Sequence, residues 1–275
     1  MTHVWLNGQH IAPDDARFAI TDHGPLLGDG LIETFLARDG EIRDLRSHLA
    51  RLRRSSERMG IQLRDGDDAL ATAVRELAAA SGSRTVRMRI TVTSGEGPPG
   101  LRRGGENPTI LITATPAHPE DRPLTAVTLP WRRNENSPIT GLKTISMAEN
   151  VVAMNQIHPA DEGIWLNTRD QLCEGTTTNV FLDLGKGLVT PPLSSGCLPG
   201  IAREGVLARA VHWGIPIGEH SLDSDILDDV RAGRVGMFLT NAVRGIALVK
   251  SLDGHEVHHG PLTTRLKERW DSTPG

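Results

Sequence analysis

Apolar and polar positions alternate most regularly between Val86 and Thr93. Val86, Met88, Ile90 and Val92 are apolar, and Arg87, Arg89, Thr91 and Thr93 stand between them. A period of two sends one set to a buried face and the other to an open face, so this stretch predicts a half-buried strand. Upstream the period is different. Leu45, Leu49, Leu52 and Met59 form the apolar stripe of a helix predicted over Arg46 to Met59 and stopped near Gly60, with Ser56 interrupting the stripe. A second helix is predicted over Asp68 to Ala80, with Asp67 as its N-cap and Gly82 beyond its end. The chain opens as a hairpin: Val4-Trp5-Leu6, a turn at Asn7-Gly8, and a return strand through Ile11. Gly28-Asp29-Gly30 leads into Leu31 to Ala37, Asp39-Gly40 marks another hairpin turn, and Thr109 to Thr115 is a further strand.

The second half begins with a strand near Leu124 to Leu129. A polar loop, Trp131 to Gly141, precedes Lys143, and a helix follows around Ala148 to Ile157. Ile164 to Leu166 and Leu172 onward read as strands joined by a turn at Thr168 to Asp170. Val180 to Leu184 and Leu188-Val189 flank Gly185-Lys186-Gly187. Leu198-Pro199-Gly200 breaks the chain before a helix running to Trp213. A shorter helix and two late strands complete it. Strands and helices mix without strict alternation, which predicts an α+β protein of two domains in preference to one doubly wound sheet. The polar, proline-bearing stretch after His118 is the expected linker, giving domains 1–118 and 124–275 with residues 119–123 between them.

Composition narrows the function classes. Apolar residues make up 38% and charged residues 23% of the 275, as in a folded, soluble protein. The formal charge is −4, and the densest basic stretch is Arg51, Arg53, Arg54 and Arg58. That argues against a general nucleic-acid binder. No run of about 18 apolar residues predicts a membrane span, and the opening MTHVWLNGQH lacks the pattern of a secretory signal. The two cysteines, Cys173 and Cys197, fit neither a disulfide framework nor a zinc site, and a reducing cytoplasm is expected. His255, His258 and His259 stand in a polar turn-like stretch and read as surface, so no metal is expected. There is no Gly-x-Ser-x-Gly elbow, Walker loop or Gly-x-Gly-x-x-Gly.

Of the 30 basic residues only four are lysines: Lys143, Lys186, Lys250 and Lys267. Arginine serves wherever charge suffices, so each lysine is a candidate for chemistry that a guanidinium cannot do, Schiff-base formation above all. Lys186, Lys250 and Lys267 read as solvent-exposed. Lys143 lies in Pro138 to Ile145, which holds no other charge, and a semi-apolar pocket there would free its lone pair. A loop lysine with its head in water is the other reading. Glu174, in the hydroxyl-rich Glu174-Gly175-Thr176-Thr177-Thr178-Asn179, either caps a turn or pairs with a ring nitrogen. Leu198 to Arg203 offers a helix start able to hold phosphate. Asn241-Ala242 could add further amides, and Arg51 is either a phosphate partner or a surface residue.

Taken in order, these segments resemble the fold type IV pyridoxal-phosphate enzymes. That group includes branched-chain aminotransferases, D-amino-acid aminotransferases and aminodeoxychorismate lyases. The resemblance rests on Asn7-Gly8, Gly28-Asp29-Gly30 with Glu33-Thr34, and His48-Leu49-Ala50-Arg51-Leu52. It continues through Gly141-Leu142-Lys143-Thr144, Glu174 to Phe181, Thr190-Pro191-Pro192-Leu193 and Leu198 to Arg203, and so covers nearly the whole chain. It implies pyridoxal 5'-phosphate bound as a Schiff base to Lys143, which also shuttles protons, with Glu174 on the pyridine nitrogen. Asn179 belongs to the cofactor-binding set. Arg51, the amides of Ile201 and Ala202, and those near Asn241 and Ala242 would hold the phosphate. The resemblance further implies a smaller N-terminal and a larger C-terminal domain, a homodimer, and a small amine or amino acid as substrate.

Within the group, Thr240-Asn241-Ala242-Val243 and Ala148-Glu149-Asn150-Val151 look most like the lyases. Ser94 stands where D-amino-acid aminotransferases tend to have an arginine. The expectation is therefore a 4-amino-4-deoxychorismate lyase, with Thr34 assisting the leaving group by resemblance. An aminotransferase acting on branched-chain, D- or other amino acids is the alternative. The chain has no tyrosine, and Met147 and Ile32 occupy two places where relatives commonly carry aromatic hydroxyls. That departure motivates a third reading, an inactive cofactor-binding homologue.

Overall fold

The computed structural model describes residues 1–105 and 107–273. They fall into two compact units. One comprises Met1–Pro119 together with Leu142–Met147, and the other comprises Glu120–Gly141 together with 148–273.

The first unit is built on a six-stranded antiparallel sheet. Its elements are β1 (His3–Leu6), β2 (Gln9–Ile11), α1 (His23–Leu27), β3 (Gly30–Arg38), β4 (Glu41–Ile42), α2 (Leu45–Met59), α3 (Asp67–Ala80), β5 (Thr85–Thr93) and β6 (Ile110–Pro116). The strand order is β2-β1-β6-β5-β3-β4. The alternation read in the sequence is β5 itself, with Val86, Met88, Ile90 and Val92 fully buried. Helix α3 packs on β5 and β6 and helix α2 on β3, with buried stripes that include Leu70, Val74 and Leu77, and Leu49 and Leu52, respectively. The N-cap of α3 is Gly66 and not Asp67. Asp67 lies in the first turn, where Arg53 of α2 takes its carboxylate at 2.7 and 2.6 Å.

The segment 142–147 joins this unit by backbone pairing along the first half of β3. Ile32 N–H donates to Lys143 O at 2.8 Å, and Ile145 N–H donates to Gly30 O at 3.0 Å. Gly30 permits the close approach. A Cβ there would stand 2.3 Å from Val92 O and 2.9 Å from Ile145 Cδ1, well inside contact distance.

The second unit contains β7 (Leu124–Arg133), α4 (Ala148–Gln156), β8 (Glu162–Asn167), β9 (Leu172–Gly175), β10 (Asn179–Asp183), β11 (Leu188–Thr190), α5 (Ile201–His212), β12 (Ile217–Glu219), α6 (Ile226–Arg231), β13 (Gly236–Asn241), β14 (Gly245–Leu252), β15 (His255–Glu256) and α7 (Pro261–Ser272). Its mixed sheet has the order β12-β11-β10-β13-β14-β7-β8-β9, and β15 pairs with β14. One face packs Phe181, Phe238 and Ile246 against Val206 and Ala210 of α5 and Leu266 and Trp270 of α7. The Phe181 and Phe238 rings stack 4.9 Å apart. The opposite face buries Val180, Leu182, Met237 and Leu239 with Leu227 and Val230 of α6. Strand β7 runs four residues past the predicted Leu129, and its register against β8 shifts between Thr128 and Arg132. Pro130 falls in that shift, where a residue without an N–H is tolerated. No helix among the described residues is long and apolar enough to cross a membrane.

Asp161, just before β8, ties that strand to β7. It accepts from Thr125 N and Oγ1, both at 2.9 Å, and from Arg122 at 2.8 and 2.6 Å. Hydrogen bonding from Arg122 holds the Asp161 carboxyl well below the usual aspartate range. A depressed carboxylate contributes stability that is present above its unfolded pKa and lost as pH falls through its folded one. The stability gap between wild type and Asp161→Asn should therefore be full near neutral pH and should narrow as pH falls below about 4. Urea melts across that range measure it, and a gap constant with pH would refute the assignment.

Candidate functional site

In the first unit, β3 places successive side chains on opposite faces. Glu33 points toward α2, and Thr34 lies on the other face, half-exposed. On α2, His48 and Arg51 stand one turn apart and therefore on one face. Both reach Glu33. Arg51 Nε and Nη2 donate to the two carboxylate oxygens at 2.8 and 2.6 Å, and His48 Nδ1 lies 2.7 Å from Oε2. None of the three side chains is more than 5% exposed. Burial alone would raise the Glu33 carboxyl. The Arg51 charge and the His48 hydrogen bond outweigh it and hold the group below the usual glutamate range. Arg51 is thus a buried member of an ion cluster, not one of the surface arginines of α2.

Lys143 is half-buried, on the segment bonded to β3 two residues before Thr34. Lys186 and Lys250 are exposed, as the sequence suggests. Lys267 is not. Its side chain on α7 is only 20% exposed and pairs with Asp271 at 2.8 Å, because the i, i+4 spacing puts that acid on the same helix face.

In the second unit, four expected residues, Glu174, Asn179, Ile201 and Ala202, converge on the loop that leads into α5 and on its first turn. Glu174, in β9, accepts from the Leu198 amide through Oε2 at 2.8 Å. Asn179, the first residue of β10, donates through Nδ2 to the Leu198 carbonyl at 2.8 Å. The two ends of the Glu174–Asn179 segment therefore clamp the two sides of one peptide unit's residue. Gly200 completes the fit, since a Cβ there would come within 2.0 Å of Asn179 Oδ1. Gly200 is also the N-cap of α5 and offers no side-chain oxygen to the helix. The amides of Ile201 and Ala202 lie in the first turn and have no intrahelical acceptor. Thr240, beside Asn179 on the β10–β13 ladder, has a buried hydroxyl with no protein partner.

Asn241 ends β13 and folds over its own turn. Its Oδ1 accepts from Val243 N at 3.0 Å and Arg244 N at 2.8 Å. Two of the amides near Asn241 and Ala242 are therefore engaged by that side chain.

Two residues of this site are missing from the sequence reading. Arg133, at the end of β7, places Nη2 3.2 Å from Glu174 Oε1 and Nη1 3.4 Å from Glu149 Oε2. Glu162 organises the hydroxyl-rich segment, accepting from Thr177 N at 3.0 Å, from Thr177 Oγ1 at 2.6 Å and from the Thr176 hydroxyl. Burial pushes the Glu162 carboxyl up despite these donors. The cue for Glu162 is the run Thr176-Thr177-Thr178, a cluster of donors that needs an acceptor when buried. Among the described residues no group of three or more His, Cys, Asp or Glu could hold a metal ion.

A family model described as Amino-transferase class IV matches residues 30–252. A Methanocaldococcus jannaschii protein provisionally named a branched-chain-amino-acid aminotransferase is 31% identical, over 97% of this chain and 94% of its own. The solved 4-amino-4-deoxychorismate lyase of Pseudomonas aeruginosa is 30% identical with a TM-score of 0.84, and 97% of each chain is covered. The branched-chain aminotransferase structure from Thermoproteus uzoniensis is 26% identical with a TM-score of 0.90, covering 98% of this chain and 93% of that one.

Glu33→Ala removes the acceptor that Arg51 and His48 share in a dry site. Breaking a buried ion cluster in this way costs about 3–5 kcal/mol, to be read from the urea midpoint at neutral pH. A loss typical of a surface pair, about 1 kcal/mol or less, would contradict the buried arrangement.

Proposed function

Because this chain belongs to the class IV amino-transferase family, a family of pyridoxal-phosphate enzymes, we propose that it is a 4-amino-4-deoxychorismate lyase. The donor set fits the cofactor. The second unit offers first-turn amides on α5, a Thr240 hydroxyl without a partner opposite Asn179, and a buried carboxylate clamped to the loop before α5. The first unit offers a half-buried primary amine on Lys143. Once bound, the cofactor supplies an aldehyde that captures a primary amine and a protonated ring that draws electrons from the neighbouring carbon.

The residues then take these roles. The Lys143 amine would anchor the cofactor and, when free, would take the proton from the amine-bearing carbon of the substrate. Glu174 accepts the ring N–H. The amides of Ile201 and Ala202 donate to the phosphate, where the positive end of α5 favours an anion. The family resemblance would add the permanent positive charge of Arg51 for a phosphate. Asn179 holds the Leu198 carbonyl and with it the start of α5, and the turn at Asn241 and Ala242 borders the phosphate.

The lyase reading is carried by Thr34. It is a half-exposed hydroxyl on the face of β3 opposite Glu33, two residues from the bond that ties Ile32 to Lys143 O. Loss of pyruvate needs a proton for the departing group as well as a base at carbon, and Thr34 is the hydroxyl closest along the strand to the lysine segment. Aromatisation to 4-aminobenzoate then drives the reaction without a second substrate. The identity to the Methanocaldococcus relative favours a second reading, a transaminase, in which Lys143 handles every proton and a keto acid is required. By the same family likeness the working enzyme is a homodimer.

Incubated with aminodeoxychorismate alone, the enzyme should release pyruvate and 4-aminobenzoate. Turnover that appears only after a keto acid is added would replace the lyase with the transaminase. Thr34→Val should lower lyase kcat by about 10²-fold, the usual contribution of a positioned acid or base, with little change in cofactor affinity. Borohydride reduction of the holoenzyme followed by peptide mapping should place the label on Lys143. Label on Lys186, Lys250 or Lys267 would remove the anchor from this reading.

A further inference from the structure

The structure assigns Arg133 a positioning role: it fixes the Glu174 carboxylate for recognition of the cofactor's ring nitrogen. The inference rests on the reading of Glu174 as the partner of that nitrogen.

Glu174 is a buried acid, its side chain 6% exposed. A carboxylate so placed needs donors on both oxygens to offset its desolvation. The Leu198 amide serves Oε2 at 2.8 Å. Oε1 meets Arg133 Nη2 at 3.2 Å. These two contacts define the plane and rotation of the carboxylate.

Arg133 is itself oriented. Its guanidinium lies over the Trp165 ring, 5.8 Å from the centroid, and its other terminal nitrogen approaches Glu149 in the first turn of α4 at 3.4 Å. Trp165 stands directly opposite Glu174 on the β8–β9 ladder. The strand pair that presents the acid thus also supplies the surface on which its cation rests. The register shift in β7 completes the arrangement. Thr128 pairs with Ile164 and Arg132 with Leu166, so β7 has two more residues than β8 over that stretch. The shift sets Arg133 opposite Asn167 at the strand's end. Nothing in the chemistry of the anchor lysine requires a cation here. A buried glutamate aimed at a ring nitrogen does.

The test uses pyridoxamine phosphate and its 1-deaza analogue, in which carbon replaces the ring nitrogen. Neither has an aldehyde, so binding to the full-length apoprotein, followed by tryptophan fluorescence, reads the noncovalent contacts alone. Wild type should bind the nitrogen compound more tightly. Arg133→Gln should cut that preference about tenfold, as for the loss of one close buried charge pair, while the affinity for the analogue stays nearly unchanged. Two results overturn the role: a preference equal to wild type, or equal losses for both compounds, which would mark Arg133 as a general packing residue. Where R133Q does not fold, R133K reads the same quantity, since it keeps charge near Trp165 but not the planar fork; a wild-type preference in R133K overturns the role too. Glu174→Gln separates the two readings. If E174Q abolishes the preference and R133Q keeps it, the Arg133 inference fails alone. If wild type shows no preference, the Glu174 reading fails and this one with it.

Discussion

A carboxyl group taken out of water has to be met by donors or by a cation, and three of them dictate how this chain arranges its polar interior. Glu33, Glu162 and Glu174 are each buried. Each is met differently. Glu33 is paired with a guanidinium and an imidazole from one face of α2. Glu162 is surrounded by threonine hydroxyls and an amide from the segment it shapes. Glu174 is shared between a backbone amide and an arginine. The cost of leaving any of them unmet is several kcal/mol, so the surrounding elements have little freedom in register. The turn after β9, the loop before α5 and the pairing of α2 with β3 all follow from it.

Much of the fold was legible because it rests on local patterns. The period of two in β5 and the stripe of α2 are set by side chains that face one core, and both elements sit within a residue or so of their expected ends. What local patterns missed was decided at a distance. The continuation of β7 to Arg133 runs through Pro130 and three polar or aromatic positions, Trp131, Arg132 and Arg133, which read as loop. They form a strand because β8 lies alongside to receive the hydrogen bonds. The cap of α3 stands one residue earlier, at Gly66, and the Asp67 carboxylate is held by Arg53 of a different helix.

The site divides along the same line. Lys143, Glu174, Asn179 and the start of α5 could be picked out because their segments resemble a family in order. The clamp on Leu198 explains physically why two of those segments travel together: an acid and an amide at the ends of one loop grip the amide and carbonyl of one residue. The partners of the site residues carried no such signal. Glu162 reads as one acid before a glycine, and Arg133 as one of 26 arginines in a charged surface composition. Their roles depend on burial, which is a property of the assembled sheet. Arg51 shows the converse. Its neighbours Arg53 and Arg54 made a surface reading plausible, and only the position of Glu33 across β3 distinguishes it.

The backbone pairing of residues 143–145 with β3 has a consequence for how the chain can be divided. The polypeptide leaves the first unit after Pro119, returns to it for Leu142–Met147, and leaves again. Neither unit is therefore a contiguous stretch of gene. A fragment ending near residue 119 would lack the segment that pairs with the first half of β3, and with it the lysine. A fragment starting near residue 120 would carry that lysine on a tether with no sheet edge to receive it. Recombination between relatives that swaps sequence at the apparent linker would exchange the lysine's segment without its receiving strand. The Gly30–Ile145 contact is then the place where such chimaeras succeed or fail.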